Sequence, residues 1–416
     1  MANHYSSRSS CRLCAGNDLK LELPLGESPV SEKYVSKDQI TEESLAAPLD
    51  VYFCINCKHV QLIDVIEPGF LWSDFTFETG RDPRLIQHFE KYASKVIEIS
   101  KIAPDDLIVD VGSNDGTLLK SFKDRGFSRV LGIDPASEIV QAANDAGIPT
   151  VLGFMDAESG QRIRAEHGSA RVITANNVYA HVDSLTAMTG AIRDLLAEDG
   201  LFVFEASYLL DVVQKNLIGT IFHEHLSYHS LTSLVPFLKN LGLELFHVER
   251  GPEQGGSIVG YVQREGGPYS QRASVNDLLV EEMQARLDEP ATLEAMFERL
   301  EGLKSNVNQF VADIRSEGKI ISGFGAARAG TTLLSYFGVG QELSRLYDDN
   351  EKKHFRFSPG DRLEVVPTCE IYEDKPDALL ILAWIHADKI LASHKEFIEE
   401  GGTFVRLFPE FQIISA

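Results

Sequence analysis

The sequence predicts an α/β chain in three parts: a small cysteine-bearing module, then two doubly wound α/β domains. Two observations carry this. Apolar, strand-like runs alternate with helical patterns between residues 107 and 207, and a second alternation starts near residue 319, which is the arrangement of parallel β-α-β units. The 416-residue length also exceeds what one hydrophobic core organises, so two or three domains are expected. The boundaries read as 1–70, 71–250 and 251–416.

The first part holds four of the five cysteines as two CxxC pairs, Cys11 and Cys14 in CRLC and Cys54 and Cys57 in CINC. Two such chelating loops supply four thiolates to one tetrahedral zinc. The N-terminus lacks the basic-then-apolar pattern of a secretory leader, so a cytoplasmic location is expected and disulfides are the weaker use. The 39-residue spacer between the pairs is longer than in a common zinc ribbon, and redox chemistry is the alternative. Four sulfur ligands leave no position for water, so such a zinc is structural. His59 is surplus to this set, and Cys369 stands alone as an expected buried or half-buried residue.

The second part opens with PRLIQHFEKYASKVIEIS, whose apolar positions recur at helical spacing. LIVDVGSNDGTLLKSF then reads as buried strand, glycine turn and helix start, and VLGIDPA, ARVITANNV and GLFVFEA read as further strands. Asp110 ends the first strand, Gly112 and Gly116 permit a tight turn, and Asp134 follows Asp110 by 24 residues at the end of the next strand. A carboxylate there suits the hydroxyls of a ribose. DVGSNDG is not GxGxxG, and Asp115 would repel a pyrophosphate. These features favour a nucleoside cofactor without phosphates and with a cationic end, which describes S-adenosylmethionine. Met155 and Asp156, from FMDAES, could cover its adenine and accept from the exocyclic amine, with Asn114 and Asn177 as further cofactor contacts. The alternative is that these acids are helix caps and the glycines simple turns.

FHEHLSYHSL, residues 222–231, packs His223, His225 and His229 with Glu224 and Tyr228 into one segment. A metal site is disfavoured, because HExH lacks the i, i+4 spacing of HExxH. Proton transfer is the better use, since histidine titrates near neutrality.

The third part begins with a charged helical stretch from about 270 to 316, interrupted by Pro290. KIISGFGAARAGTTLLSYF, SRLYDDN, ALLILAWI and TFVRLFP supply strands, the first followed by a helix. No run of about eighteen apolar residues marks a membrane span. The balance of 39 basic against 62 acidic residues, a formal charge of −23, argues against nucleic acid or anionic membranes as partners.

Taken in order, CRLC…CINC, DVGSNDG, NNVYAHV, FHEHLSYHSL, GGS, GFGAARAGTTLL and LLILAW resemble the sugar C-methyltransferases of deoxysugar biosynthesis over nearly the whole chain. The resemblance implies an N-terminal zinc module followed by two Rossmann-like domains. It also implies methyl transfer from S-adenosylmethionine to the carbon beside the ketone of a nucleotide-linked 4-keto sugar, usually on thymidine diphosphate, by a monomer or small homo-oligomer. It puts the general base at His225, with Glu224 beside it in the sugar pocket and His181 as a further proton-handling group. The chain departs from the family pattern at Phe222, where tyrosine is usual, and at Phe75 and Phe77 in a segment often rich in tyrosine. It departs again at Gln254, Val259 and Ala329. Phe222, Phe77 and Arg328 are the candidate substrate contacts, Arg328 through a bidentate grip on the diphosphate. Methylation of a different acceptor, at oxygen or nitrogen or on another nucleotide sugar, is the alternative, followed by a non-catalytic binding protein.

Overall fold

A computed structural model describes residues 4–72 and 78–416; Phe75 and Phe77 lie outside the described residues. The central sheet has seven strands: β1 (Ile108–Val111), β2 (Val130–Asp134), β3 (Thr150–Leu152), β4 (Ala170–Asn176), β5 (Leu196–Ser207), β6 (Leu243–Gly251) and β7 (Ser257–Arg264). Their spatial order is β3-β2-β1-β4-β5-β7-β6. The first five run parallel, and β7 pairs antiparallel with both β5 and β6. β1 and β2 are buried at every position, as strands covered on both faces must be. The strand order reverses between β1 and β4, and a ligand crevice is expected at their carboxyl ends. Because β7 completes this sheet, it continues past residue 250, where the sequence reading ended the second domain.

The helix Pro83–Ser100 covers one face of the sheet. Asp82 caps it by accepting from the Arg84 N–H, proline occupies its first turn, and Lys101 in the left-handed region ends it. Pro290 does not interrupt a helix but begins one, Pro290–Ser316, which follows Ala273–Gln284. From the helix Ala273–Gln284, the fully buried Glu282 carboxylate accepts from the Leu231 and Thr232 N–H groups at 2.7 and 2.8 Å and from the Tyr208 hydroxyl at 2.9 Å. It thereby caps the helix Leu231–Asn240 that follows the histidine segment.

The C-terminal sheet contains β8 (Ile321–Phe324), β9 (Leu346–Asp348), β10 (Val365–Pro367), β11 (Ala378–Ile381), β12 (Thr403–Arg406) and β13 (Gln412–Ile414), ordered β10-β9-β8-β11-β12-β13. All pairs are parallel except the last. Cys369, expected to be at least half-buried, is exposed on the single turn after β10.

The N-terminal sheet is assembled from Leu19–Leu23, Val51–Cys54 and Val60–Leu62, with Ser227–Tyr228 as its fourth strand. Ser227 pairs with Gln61 and Tyr228 with Val60, so part of the histidine segment is an edge strand of the cysteine module. The same module reaches the C-terminal domain, where Val35 bridges Phe357 and Lys353 pairs with Glu32 at 2.9 Å. One continuous apolar core runs from Leu62 through Phe204 to Leu333. Among the described residues, no helix is long and apolar enough to cross a membrane.

Candidate active site

A cavity of about 650 Å³ opens at the carboxyl ends of β1, β2 and β4 and extends to the C-terminal domain. Its floor is the turn after β1. Gly112 sits at φ +67°, and a Cβ there would fall 2.3 Å from the Val178 side chain. Gly116, at φ +80°, begins the helix Thr117–Lys123 and would meet Ile148. Both positions need glycine, for backbone conformation and for space. Asn114, at φ +50°, holds the turn against the preceding segment through its side-chain oxygen, which accepts from the Thr79 N–H at 2.9 Å.

Two carboxylates border this floor. Asp134 is 7% exposed and accepts from the N–H groups of Asn114 and Ala136 at 3.0 and 2.9 Å. Burial raises its pKa, and those N–H groups partly offset the rise. Each oxygen keeps a second lone pair, so the carboxylate can serve the turn and a ribose together. Asp110 accepts from the Thr174 hydroxyl at 2.6 Å, and burial pushes its pKa up to about 7. Met155 and Asn177 line the same cavity, Asn177 at φ +55° with its N–H on the Glu205 carbonyl. Asp156 also borders the cavity, but it is exposed and its side chain caps the helix Ala157–His167 by accepting from the Ser159 N–H at 2.9 Å. The glycine cradle, the paired acids and a volume within the roughly 300–1,000 Å³ of small-molecule sites fit a nucleoside cofactor with a cationic end.

The opposite wall comes from the histidine segment. His225 is buried but borders the cavity, and its Nδ1–H donates to the Thr220 carbonyl at 2.7 Å, which leaves the Nε2 lone pair available. Burial lowers its pKa to about 4, so the ring is neutral at pH 7. The His181 ring stands 5.0 Å away, centroid to centroid, and burial also drives its pKa well down. Phe222 packs against His225 with centroids 3.9 Å apart. Glu224 is 5% exposed and faces the Arg328 Nε at 3.0 Å. Burial raises the Glu224 pKa and the Arg328 charge opposes the rise. Arg328 begins the helix Arg328–Phe337, so this pair joins the second and third parts of the chain across the cavity.

The remaining histidines of the segment hold backbone. His223 donates through Nε2 to the Ala47 carbonyl at 3.0 Å, and His229 through Nε2 to the Tyr179 carbonyl at 3.1 Å. Trp384 and His88 escaped sequence reasoning, and Gln254 figured there only as a departure from the family pattern. Trp384 contributes its indole from the end of LLILAW, packed against Gly219 and Gly255. Gln254 lines the cavity at φ +55°, beside Glu253. Behind it, His88 bridges Glu205 (2.7 Å from Nε2) and Glu253 (3.1 Å from Nδ1). Burial would depress His88, but these carboxylates more than offset that and its pKa is raised. His88 lies on the helix Pro83–Ser100 and Trp384 on the turn after β11, and nothing in their local pattern beyond residue type could have flagged them.

In the N-terminal module, the sulfurs of Cys11, Cys14, Cys54 and Cys57 lie within 4.8 Å of one another. Zn–S bonds of about 2.3 Å in a tetrahedron put sulfurs roughly 3.8 Å apart, so this donor set fits zinc. His59 lies apart, with its Nε2 on the Ser227 hydroxyl at 3.1 Å.

A glycine turn with paired acids at the switch point of a seven-stranded α/β sheet defines an S-adenosylmethionine-dependent methyltransferase, here carrying a four-cysteine zinc module. The chain belongs to the C-methyltransferase family. It is 32% identical over 407 residues to C-methyltransferase NovU of Streptomyces niveus, covering 98% of this chain and 97% of that protein. Residues 11–72 match a zinc binding domain, 85–248 a methyltransferase domain and 252–409 a C-methyltransferase C-terminal domain. Among solved structures, an S-adenosylmethionine-dependent methyltransferase from Clostridium acetobutylicum covers 44% of this chain and 92% of its own at 13% identity, with a TM-score of 0.36. Magnesium protoporphyrin IX methyltransferase from Synechocystis covers 46% and 90% at 17% identity, with a TM-score of 0.35.

Proposed function

We propose that this C-methyltransferase acts on the carbon beside the ketone of a nucleotide-linked 4-keto sugar, thymidine diphosphate being the favoured carrier, with His225 as the general base. The observation that carries the reading is a neutral His225 whose Nδ1–H is committed to Thr220, on the wall facing the glycine turn. When bound, S-adenosylmethionine supplies an electrophilic methyl group on a sulfonium. Asp134 would hold its ribose and Met155 would cover its adenine, with Asp110, Gly112, Asn114, Asp156 and Asn177 bordering the same end of the cavity and Gly116 in the turn after β1.

At the sugar, His225 takes the proton from the carbon acid onto Nε2. Deprotonation beside a ketone places negative charge on the keto oxygen, which needs a donor. We assign this donor role to His181, whose neutral ring carries one N–H and stands 5.0 Å from His225, centroid to centroid; Phe222 has no hydroxyl to do so. Glu224 accepts from a sugar hydroxyl, and Arg328, paired with it, offsets the charge of the diphosphate. The size of the cavity, which spans both Rossmann-like domains, supports a substrate as large as a nucleotide sugar.

The test is methyl transfer to a panel of thymidine diphosphate 4-keto sugars, followed by mass spectrometry, with exchange of the substrate's acidic hydrogen in deuterated water measured in parallel. His225→Gln should lose roughly two to four orders of magnitude in both. Methyl transfer with no exchange in the native enzyme, or native turnover in the variant, would overturn the assignment.

A further inference from the structure

Arg12 lies between two zinc-ligand cysteines, yet its side chain is fully buried and points away from them into the methyltransferase domain. Its Nη1 donates to the Leu226 carbonyl at 3.3 Å, to the Gln61 side chain at 3.2 Å and, closely, to the Leu62 carbonyl. Its Nε faces the Asp183 carboxylate at 3.2 Å. Leu226 directly follows His225, and Asp183 lies two residues after His181. One guanidinium therefore grips both segments that carry the paired imidazoles, whose centroids are 5.0 Å apart. The surroundings reinforce the grip. Ser227 donates its N–H to the Ala180 carbonyl at 3.1 Å, and Leu62 donates to the Leu226 carbonyl at 3.0 Å. Arg8 adds a second cation on Asp183 at 3.0 Å.

Burying a guanidinium is expensive unless its charge is met, so a buried arginine used only to close a zinc knuckle would be a poor solution. Its partners meet part of that cost: Nη1 alone reaches acceptors on Gln61, Leu62 and Leu226, and the Asp183 carboxylate stands beside Nε as the counter-charge. We propose that Arg12 is a positioning residue of the methyl-transfer reaction, fixing His225 and His181 relative to each other from the zinc module. The proposal rests on the reading of His225 as the base. It makes the N-terminal module part of the active-site scaffold, because the strand pairing of Ser227–Tyr228 with Val60–Leu62 and the Arg12 fork hold the same segment from two sides.

The experiment is a double-variant cycle with Arg12→Gln, His225→Gln and both together, read as kcat, sugar KM and deuterium exchange at the substrate carbon. Calorimetry with S-adenosylmethionine and zinc content per chain serve as controls. Misplacing a catalytic group by about an ångström costs on the order of a hundredfold, so Arg12→Gln should lose roughly 10- to 100-fold in kcat and in exchange, with cofactor affinity unchanged. Arg12→Lys should recover part of the loss. In the His225→Gln background, Arg12→Gln should cost little more, since its effect runs through His225. Additive losses, or near-native kcat in a folded, zinc-loaded Arg12→Gln enzyme, overturn the proposal. Should Arg12→Gln fail to fold, Asp183→Asn, which alters a half-exposed partner, decides by the same cycle. Native turnover in His225→Gln instead defeats the base assignment, whatever Arg12 does.

Discussion

A general base as deeply buried as His225 gives turnover a pH dependence unlike that of an ordinary histidine. A general base works only when unprotonated, so the acid limb of kcat/KM reports its pKa in the free enzyme. An exposed histidine would titrate near 6.5, whereas burial lowers His225 to about 4, opposed by its bond to Thr220 and assisted by the nearby Arg328 charge. At pH 5.5 the ordinary histidine would be about 9% unprotonated and one with a pKa of 4 about 97%, roughly a tenfold difference in competent enzyme. The expected profile is therefore flat from pH 7 down to about 5 and falls only as pH approaches 4. Asp110 titrates near 7 beside the cofactor turn, so the measurement needs saturating S-adenosylmethionine to keep its ionisation out of the profile. The assay is initial-rate methyl transfer across pH 4.5–8, with cofactor binding at each pH to show that the enzyme stays folded. An acid limb centred near 6.5 would refute the link between burial of His225 and its role as base.

Other outcomes follow from the same geometry. Purified protein should carry one zinc per chain, and Cys54→Ser with Cys57→Ser should abolish it; unchanged metal content would refute the four-cysteine site. Asp134→Asn should weaken S-adenosylmethionine binding by about 1–3 kcal/mol in calorimetry, and an unchanged Kd in a folded variant would remove the ribose assignment. Glu282→Gln should lower stability by roughly 3 kcal/mol, because the buried carboxylate accepts from two N–H groups and two hydroxyls at one helix start; an unaltered denaturant midpoint would contradict that. His59, His181, His223, His225 and His229 all have pKa values lowered by burial, so the unfolded chain binds more protons below its ordinary histidine pKa. Stability should then fall as pH drops from about 6.5 toward 4, and an unchanged melting temperature over that range would show these rings to be accessible.

How much of this was legible in the sequence depended on the range of the interaction that decided each feature. The helix Pro83–Ser100 carries its own instructions, with Asp82 as cap, proline at the start and an apolar stripe. β1 and its turn are equally local, because buried apolar residues, two positive-φ glycines and Asp110 occupy one short window. The two cysteine pairs announce their chemistry by spacing. Asp156 shows where local reasoning divides: a carboxylate at a helix start reads equally as cap or ligand contact, and it caps Ala157–His167 while bordering the cavity.

The histidine wall was legible as composition but not as architecture, and the difference is physical. Ser227 and Tyr228 form a strand of only two residues, too short to show period two, and they acquire strand geometry from Val60 and Gln61 far earlier in the chain. Arg12 looks like an exposed knuckle residue in CRLC, and Glu282 looks like one more acid on a charged helix, yet each is buried. A buried charge is tolerated where partners surround it, and those partners come from distant segments: Leu226 and Asp183 for Arg12, Tyr208 and Thr232 for Glu282. Residue type and spacing cannot encode that meeting, because the sequence around each charge is that of a solvated surface. Such partnered charges converge on the middle and the C-terminal end of 222–231, so the segment that supplies the imidazoles owes its conformation to contacts outside it. That is why substitutions far from the reacting carbon, in the zinc knuckle above all, are expected to change turnover while leaving cofactor affinity intact.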